Sequence, residues 1–354
     1  MEQQRVAVLG SGVQGLTTAL LLLHQGVKKV VVVANAGPGA FDKKDSCFAS
    51  PKAGANWQTF AGNDDQRLQE YDEVWLPLDS FGVVFLSFLP QCGIMRLPGF
   101  MFYDEKPVDF QHPWYARFVK NYAYATATDL PPNKKFGVKY ETITMNVPKY
   151  LAWLVNRVKA KGGSLKLGGV EDSSLYPVRG QTILVRAPQV QRTIGTALPV
   201  GGTRGVVGGG RSSIYLLIPR EDGIVILGGT YQKGKGTVFH GHRCRYCSSI
   251  MERCVAVCPE LVQNGKFPEI VEHSVGLRPA RYGDCRLDSQ NFHWQDILFI
   301  NNYGHGGYGY QSSWGCAQSV VRMVRRAVGT TVDDKILTKL LKETITPETR
   351  DAKL

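Results

Sequence analysis

Apolar residues recur along this chain in two rhythms, and the switches between them mark out its elements. Arg5 to Leu9 is a short apolar run that reads as a strand; from Val13 to Gln25 the pattern continues as a helix closed by Gly26, and Val27 to Ala34 reads as a second strand. This makes a first βαβ unit. From Gln66 to Tyr140 the chain turns aromatic and irregular, with proline-rich pieces at Arg96-Leu97-Pro98-Gly99 and Leu130-Pro131-Pro132, the mark of an insertion or separate domain. A helix is expected over Pro148 to Lys161, ended by Gly162-Gly163. Val178 to Val185 then opens a β-rich region in which Ser213 to Pro219 and Ile224 to Thr230 alternate as a hairpin around Arg220-Glu221-Asp222-Gly223, leading to Tyr231. The pattern predicts a helix over Ser248 to Val257 and a strand over Glu269 to Ser274, ahead of a rigid bend in Gly276-Leu277-Arg278-Pro279-Ala280-Arg281. A last strand, Ile297 to Asn301, feeds a glycine-rich loop into a helix over Ser313 to Val328.

Composition narrows the class. A chain of 354 residues with 43% apolar content has room for about two domains with substantial cores. Its net charge of +12 would suit nucleic acid, but the Lys and Arg residues are scattered and no helix, finger or strand platform frames them, so no nucleic-acid partner is expected. No apolar run reaches the roughly 18 residues of a membrane span, and the N-terminus enters a strand without a signal-peptide pattern. The eight cysteines are too few for a disulfide framework in a chain of this length; most are expected as free thiols, with an oxidised pair among Cys244, Cys247 and Cys285 as the alternative.

Two glycine loops carry the chemistry. In Gly10-Ser11-Gly12-Val13-Gln14-Gly15, between strand and helix, glycines permit a tight turn and pyrophosphate approach, and the helix N-terminus offers amides and partial positive charge. The usual acid closing the second strand is replaced by Ala34-Asn35, where the Asn35 amide could take the ribose hydroxyls. The late loop, Asn302 to Gly315, bares its amides at Gly304, Gly306, Gly307 and Gly309 for a flat, electron-poor ligand, while Tyr303, Tyr308, Tyr310 and Gln311 supply polar tips. One loop for phosphates and one for a ring points to a flavin dinucleotide; a ligand-free helix cap is the plain alternative. Phe48 to Trp57 is small and glycine-bearing, suited to passing beneath a ring or to serving as a simple connection, and Lys52 could reach a flavin edge or solvent. His240, His242, Cys244, Cys247, Cys254 and Cys258 have metal-ligand types without a second Cys-x-x-Cys spacing, so no metal is expected. The last residues, Ala352-Lys353-Leu354, are a close relative of the Ser-Lys-Leu peroxisomal address.

Six motifs in order, GSGVQG at 10 to 15, AGANW at 53 to 57, PVRGQT at 177 to 182, LGGTYQKG at 227 to 234, VGLRPAR at 275 to 281 and NYGHGGYGYQSSWG at 302 to 315, resemble the D-amino-acid oxidase family over nearly the whole chain. The resemblance implies an α/β fold, with a Rossmann-like FAD-binding domain (1–60, 141–190 and 270–329) and a mixed, largely antiparallel β-sheet substrate domain (61–140 and 191–269), followed by a polar tail (330–354). It implies non-covalent FAD, held by Gly10 to Gly15, Ala34, Asn35, Ser46, Lys52, Ala53, Gly54, Ala55, Asn56, Arg278, Gly304, Gly306, Gly307, Tyr308, Gly309, Tyr310 and Gln311. The activity implied is oxidation of D-amino acids to imino acids by hydride transfer to flavin N5, with O2 as acceptor and hydrogen peroxide and ammonia released. Arg278 matches the carboxylate-binding arginine, Tyr231 and Tyr215 the pocket tyrosines, Gly307 a backbone facing the amine and Gln311 a polar group near substrate and flavin; Tyr215 stands one residue out of step with that pattern. His305 is expected to be a structural or flavin-edge residue, because hydride transfer from a neutral amine needs no base. Tyr231, where D-aspartate oxidases tend to carry Arg, favours neutral D-amino acids. Peroxide chemistry agrees with the peroxisome matrix as location and its import receptor as partner; a homodimer is compatible.

One departure stands out. Between Gly163 and Leu175 the family continues with a strand and an Asn-x-Thr-Gly type turn, and roughly 30 residues, about a supersecondary unit, are missing here. Three alternatives therefore stay open: a D-aspartate oxidase of the same fold, a catalytically silent flavin- or nucleotide-binding variant, and an NAD dehydrogenase, which the missing acid disfavours.

Overall fold

The computed structural model describes residues 5–35, 48–74, 89–107, 110, 112–167, 173–196, 216–234, 246–292 and 297–329. Ser46, Tyr215, Cys244 and the Ala-Lys-Leu tail lie outside them. The first unit runs β1 (Arg5–Leu9), α1 (Val13–His24), β2 (Lys29–Ala34). Then come α2 (Gln66–Glu73), α3 (Leu89–Cys92), β3 (Ile94–Tyr103), β4 (Ala123–Tyr124), β5 (Phe136–Met145), α4 (Val147–Ala160) and β6 (Ser164–Leu167). The remainder is β7 (Leu175–Arg186), β8 (Thr193–Thr196), β9 (Leu216–Pro219), β10 (Ile224–Gly228), β11 (Gln232–Lys233), α5 (Cys247–Val257), β12 (Glu269–Arg281), β13 (Arg286–Phe292), β14 (Ile297–Tyr303) and α6 (Ser313–Ala327).

β1, β2 and β6 form a parallel sheet with β2 at its centre, Arg5 opposite Lys29 and Val31 opposite Ser164. Helix α1 is apolar almost all round, with Leu16, Leu20, Leu21 and Leu22 buried, because it lies between this sheet and α4 and α6. Among the described residues the sheet has three strands and β1 is an edge, where Leu9 is half exposed. The stretch between Gly163 and Leu175, where the sequence departs from the family pattern, contains β6.

A second, largely antiparallel sheet has nine strands among the described residues, in the order β11-β7-β10-β9-β8-β3-β5-β4, with β12 also on β7. The fold class expected from the resemblance is the one observed, an α/β arrangement with a parallel nucleotide-type sheet beside a large mixed one. Where the sequence suggested a bend, the chain is strand: β12 continues to Arg281 against β7, with Gly276 opposite Gly180 and Arg278 opposite Val178. Pro279 disguises this. It lies opposite Pro177, and its carbonyl turns away from β7 to accept from the Gly306 amide, so the N–H it lacks is not one that the β7 ladder uses. Pro98 behaves alike inside β3, pairing with β5 just before the β8 ladder begins at Gly99.

Alternation along β7 and β12 sorts their side chains. Gly180, Gly276 and Arg278 face one side, while Gln181 and His273 face α5, where Cys247 Sγ lies 3.3 Å from His273 Nδ1 and accepts from Gln181 Nε2 at 3.4 Å. The β13–β14 hairpin delivers Tyr303 to the glycine loop, and α6 then returns across α2 and α1. At the crossing of α2 and α6 a Cβ on Gly315 would stand 2.5 Å from Tyr71 Cα, so the two backbones are in contact. Gly315→Ala should therefore lower the thermal midpoint, the overpacking cost of about 1–3 kcal/mol outweighing the helix-propensity gain; an unchanged or raised midpoint would show that the helices part freely.

Candidate functional site

The first glycine loop is built as a cradle. Gly10 has φ +106° and its amide donates to the Val33 carbonyl at 2.7 Å, turning the chain out of β1. A Cβ on Gly15 would stand 1.9 Å from the Gly10 carbonyl oxygen, so this turn admits no side chain there. Gly12 precedes α1 without a side-chain cap and the first turn of α1 has no acid, which leaves its positive end for a diphosphate. Ser11 is buried, Ala34 is buried at the end of β2, and Asn35 beyond it is exposed. The cradle has a wall that sequence reasoning missed: Ser50 Oγ accepts from the Val13 amide at 3.2 Å and packs against Gly12.

The second glycine loop docks onto the first through one side chain. Gln14 Nε2 donates to the Gly309 carbonyl (2.8 Å) and Ser312 Oγ (3.3 Å), and Asn302 Nδ2 donates to Gln14 Oε1 (3.3 Å). Tyr310 adds a second tie, its hydroxyl donating to the Ser50 carbonyl at 2.9 Å. Residues nearly 300 apart thus form one concave surface. Gly304 (φ +85°) and Gly306 (φ +53°) make the turn, and the Gly306 amide donates to the Pro279 carbonyl, laying the loop along the end of β12. These features, a helix start with no acid in its first turn and two glycine loops fastened side by side, fit an FAD.

The segment from Lys52 to Asn56 crosses the Arg278 face of the large sheet. The Lys52 stem packs on Gly276 and its ammonium lies 3.8 Å from Glu272; a Cβ on Gly54 would strike Ile218. Ala55 takes a left-handed conformation (φ +55°) with its carbonyl accepting from the Met145 amide, and Asn56 bridges to Thr144. Ala53 packs against the core of the first unit. These residues hold the crossover in place beside the late loop.

Arg278 lies at the centre of the remaining wall. Its guanidinium is pressed over Gly180, where a Cβ would approach Nη1 to 2.2 Å, donates to the Thr230 carbonyl at 3.3 Å and sits 5.7 Å from the Tyr231 ring centroid. Desolvation lowers its pKa, partly offset by Tyr231, and it forms no salt bridge among the described residues. Burial likewise raises the Tyr231 pKa, keeping its hydroxyl protonated. A Cβ on Gly307 would lie 3.9 Å from Arg278 Cδ and 3.7 Å from the ring of Phe60, an aromatic that is 54% exposed and packs against Tyr308. Phe60 was not singled out in the sequence, since one aromatic after Trp57 carries no signal without its neighbours. Arg278, Tyr231, Gly307 and Phe60 thus surround a position fit for a carboxylate and a small side chain.

Other expected residues are engaged in contacts of their own. Gln311 is buried, with Nε2 donating to Asp72 Oδ2 at 3.2 Å, and Tyr308 donates to Asp284 at 2.5 Å. His305 is buried with Nε2 at 3.4 Å from Cys316 Sγ, and desolvation lowers its pKa to about 4, so it is a neutral packing residue, as its sequence context suggested. Arg281 lies beside Gly304 and donates to the Tyr282 carbonyl.

Residues 158–323 match the family model described as FAD dependent oxidoreductase. The chain is 30% identical to a D-amino-acid oxidase of Fusarium vanettenii over 94% of this chain and 99% of that protein. It is 28% identical to a D-aspartate oxidase of Cryptococcus neoformans var. grubii over 91% of this chain and 97% of that protein. Its fold is similar to that of glycine oxidase from Bacillus cereus ATCC 14579, with a TM-score of 0.66, 15% identity, and coverage of 95% of this chain and 98% of that one.

Gln14→Ala removes three hydrogen bonds between the glycine loops, which at about 0.5–1.5 kcal/mol each should weaken FAD retention by tenfold or more. Titrating apoprotein with FAD by flavin fluorescence measures this, and an unchanged dissociation constant would show that the loops meet without Gln14.

Proposed function

This chain belongs to the D-amino-acid oxidase family of FAD-dependent amino acid oxidases, and on that footing we propose that it oxidises neutral D-amino acids to imino acids, which water converts to 2-oxo acids and ammonia, while O2 is reduced to hydrogen peroxide. The observation that carries this reading is Arg278, a cation held by two strands over a glycine and left without a carboxylate partner among the described residues. A zwitterionic substrate supplies that partner, and a planar guanidinium takes a carboxylate in a two-point grip.

FAD, when bound, supplies the acceptor for the substrate's α-hydrogen as hydride. The Gly10–Gly15 loop and the start of α1 would hold its diphosphate, and residues 53–56 and 304–310 its ring. The chain's own contribution is orientation and dryness. Arg278 fixes the carboxylate, the protonated Tyr231 hydroxyl lies beside it as a donor, and the Gly307 backbone offers its polar groups to the amine without a side chain in the way. Phe60 closes the remaining side with an apolar ring suited to an uncharged side chain. No base is required of His305, which is neutral and turned toward Cys316. Holding the reacting groups in one geometry supplies the rate advantage in this scheme.

A D-aspartate reading has one observation in its favour: Lys233 is held 4.6 Å over the Tyr176 ring and 4.9 Å over Tyr282, placing a cation two residues from Tyr231. Peroxisomal import through Ala352-Lys353-Leu354 completes the proposal and fits peroxide release; loss of punctate localisation on deleting the tripeptide from a fluorescent fusion tests it.

Purified FAD-loaded protein should lose its visible flavin absorption on anaerobic addition of D-alanine, more readily than with D-aspartate, and not with L-alanine. A preference for D-aspartate would reverse the substrate assignment, and a spectrum inert to all three would overturn the oxidase reading. Arg278→Ala should retain FAD but weaken binding of benzoate, a non-reacting carboxylate, by roughly 30-fold to several thousandfold, the cost of truncating a buried charge pair at about 2–5 kcal/mol. Undiminished benzoate affinity would refute the carboxylate role.

A further inference from the structure

Asp72 has no part in the reaction as derived, yet its carboxyl stands directly behind two walls of the candidate site. It projects from α2 and is 2% exposed. Oδ2 accepts from Thr59 Oγ1 at 2.8 Å and from Gln311 Nε2 at 3.2 Å, and the Phe60 amide donates to the same carboxyl group. Thr59 Oγ1 in turn accepts from the Ala61 amide at 2.9 Å, and the Asp72 carbonyl accepts from Trp57 Nε1 at 3.1 Å. One carboxyl therefore ties the turn that carries Phe60 to the loop that carries Gly307, the two groups whose surfaces meet beside Arg278. Its own position is fixed by the contact of Gly315 with Tyr71, one residue before it.

We propose that Asp72 is a positioning residue that sets the spacing between Phe60 and the Gly307–Gln311 segment, firmly as a carboxylate and loosely as a neutral acid. The inference rests on the reading of Arg278, Gly307 and Phe60 as the substrate site. Hydrogen bonds to an ionised acceptor are shorter and roughly twice as strong as those to a neutral one, so one proton loosens both arms together. The surroundings bring the change into the neutral range: burial pushes the carboxyl pKa up to about 7, against the downward pull of the Thr59, Gln311 and Phe60 donors. The titratable groups facing it are Asp65 at the start of α2, which disfavours its charge, and Cys316 on α6, whose thiol burial keeps neutral. In sign, the folded pKa is raised above that of an unfolded aspartate. Stability associated with Asp72 is therefore full below the usual carboxylate range and declines as pH rises through about 7, while the clamp tightens over the same interval.

The test follows the neutral-carboxyl infrared band of FAD-loaded protein from pH 5 to 9. In the free protein a band should vanish with a midpoint near 7 and be absent from Asp72→Asn, and Thr59→Val should raise the midpoint by about half a unit to one unit, the worth of one donor. Benzoate should then lower the wild-type midpoint, and its dissociation constant should fall about threefold or more between pH 6 and 8 in wild type but stay flat in Asp72→Asn. A folded, FAD-replete Asp72→Asn that keeps the wild-type band or the wild-type pH dependence of benzoate binding overturns the proposal. So does a wild-type midpoint that benzoate binds without moving. The ligand-free arm separates the two readings: if benzoate does not bind at all, the substrate-site reading fails, and with it the positioning role, while the Asp72 titration still stands.

Discussion

The site depends on one constraint, the fit of the Arg278 guanidinium over Gly180. The β7–β12 ladder puts Gly276 and Gly180 in the same register and on the same face as Arg278, and only the absence of a side chain at 180 lets a planar cation lie against the sheet. Everything else in the pocket is arranged around that cation. Thr230 gives it a carbonyl, Tyr231 a ring, the loop after β14 brings Gly307 against its stem, and Gly306 is bonded back to Pro279 next to it. A desolvated cation with no acidic neighbour among the described residues costs free energy.

Two glycine loops nearly 300 residues apart are fastened by amides and hydroxyls rather than by charge. Gln14 reads the backbone of the second loop at Gly309, and Tyr310 reads the backbone of the segment at Ser50. Such contacts are directional and short in reach, so they specify one docking of the loops. The positive end of α1 remains for the ligand, since no acidic side chain sits in its first turn.

Sequence reading found what is local. The βαβ opening, both glycine loops and the helices near Val147–Ala160, Cys247–Val257 and Ser313–Ala327 all announce themselves in continuous stretches, and the six motifs carried Arg278 and Tyr231 with them. What was missed depends on pairing. The strand through Arg278 reads as a bend in the sequence because Gly276 and Pro279 resemble turn residues, and only the pairing shows that Pro279 sits where β7 draws no amide from it. Ser50 and Phe60 are ordinary residues whose value comes from partners far along the chain. Asp72 did leave a trace: it shares a buried helical face with Leu68 and Tyr71, a place where an acid is out of keeping with its neighbours. Tyr215 and Ser46 fall outside the described residues.

The bond from Gln14 to Gly309 also has a meaning in time. Its partners are separated by 295 positions, so Gln14 is synthesised long before the segment it bonds. Closing such a loop is slow and has to await the late strands and α6. A growing chain can therefore form the start of α1 long before the second glycine loop exists to join it, and the cradle closes only after both have been made.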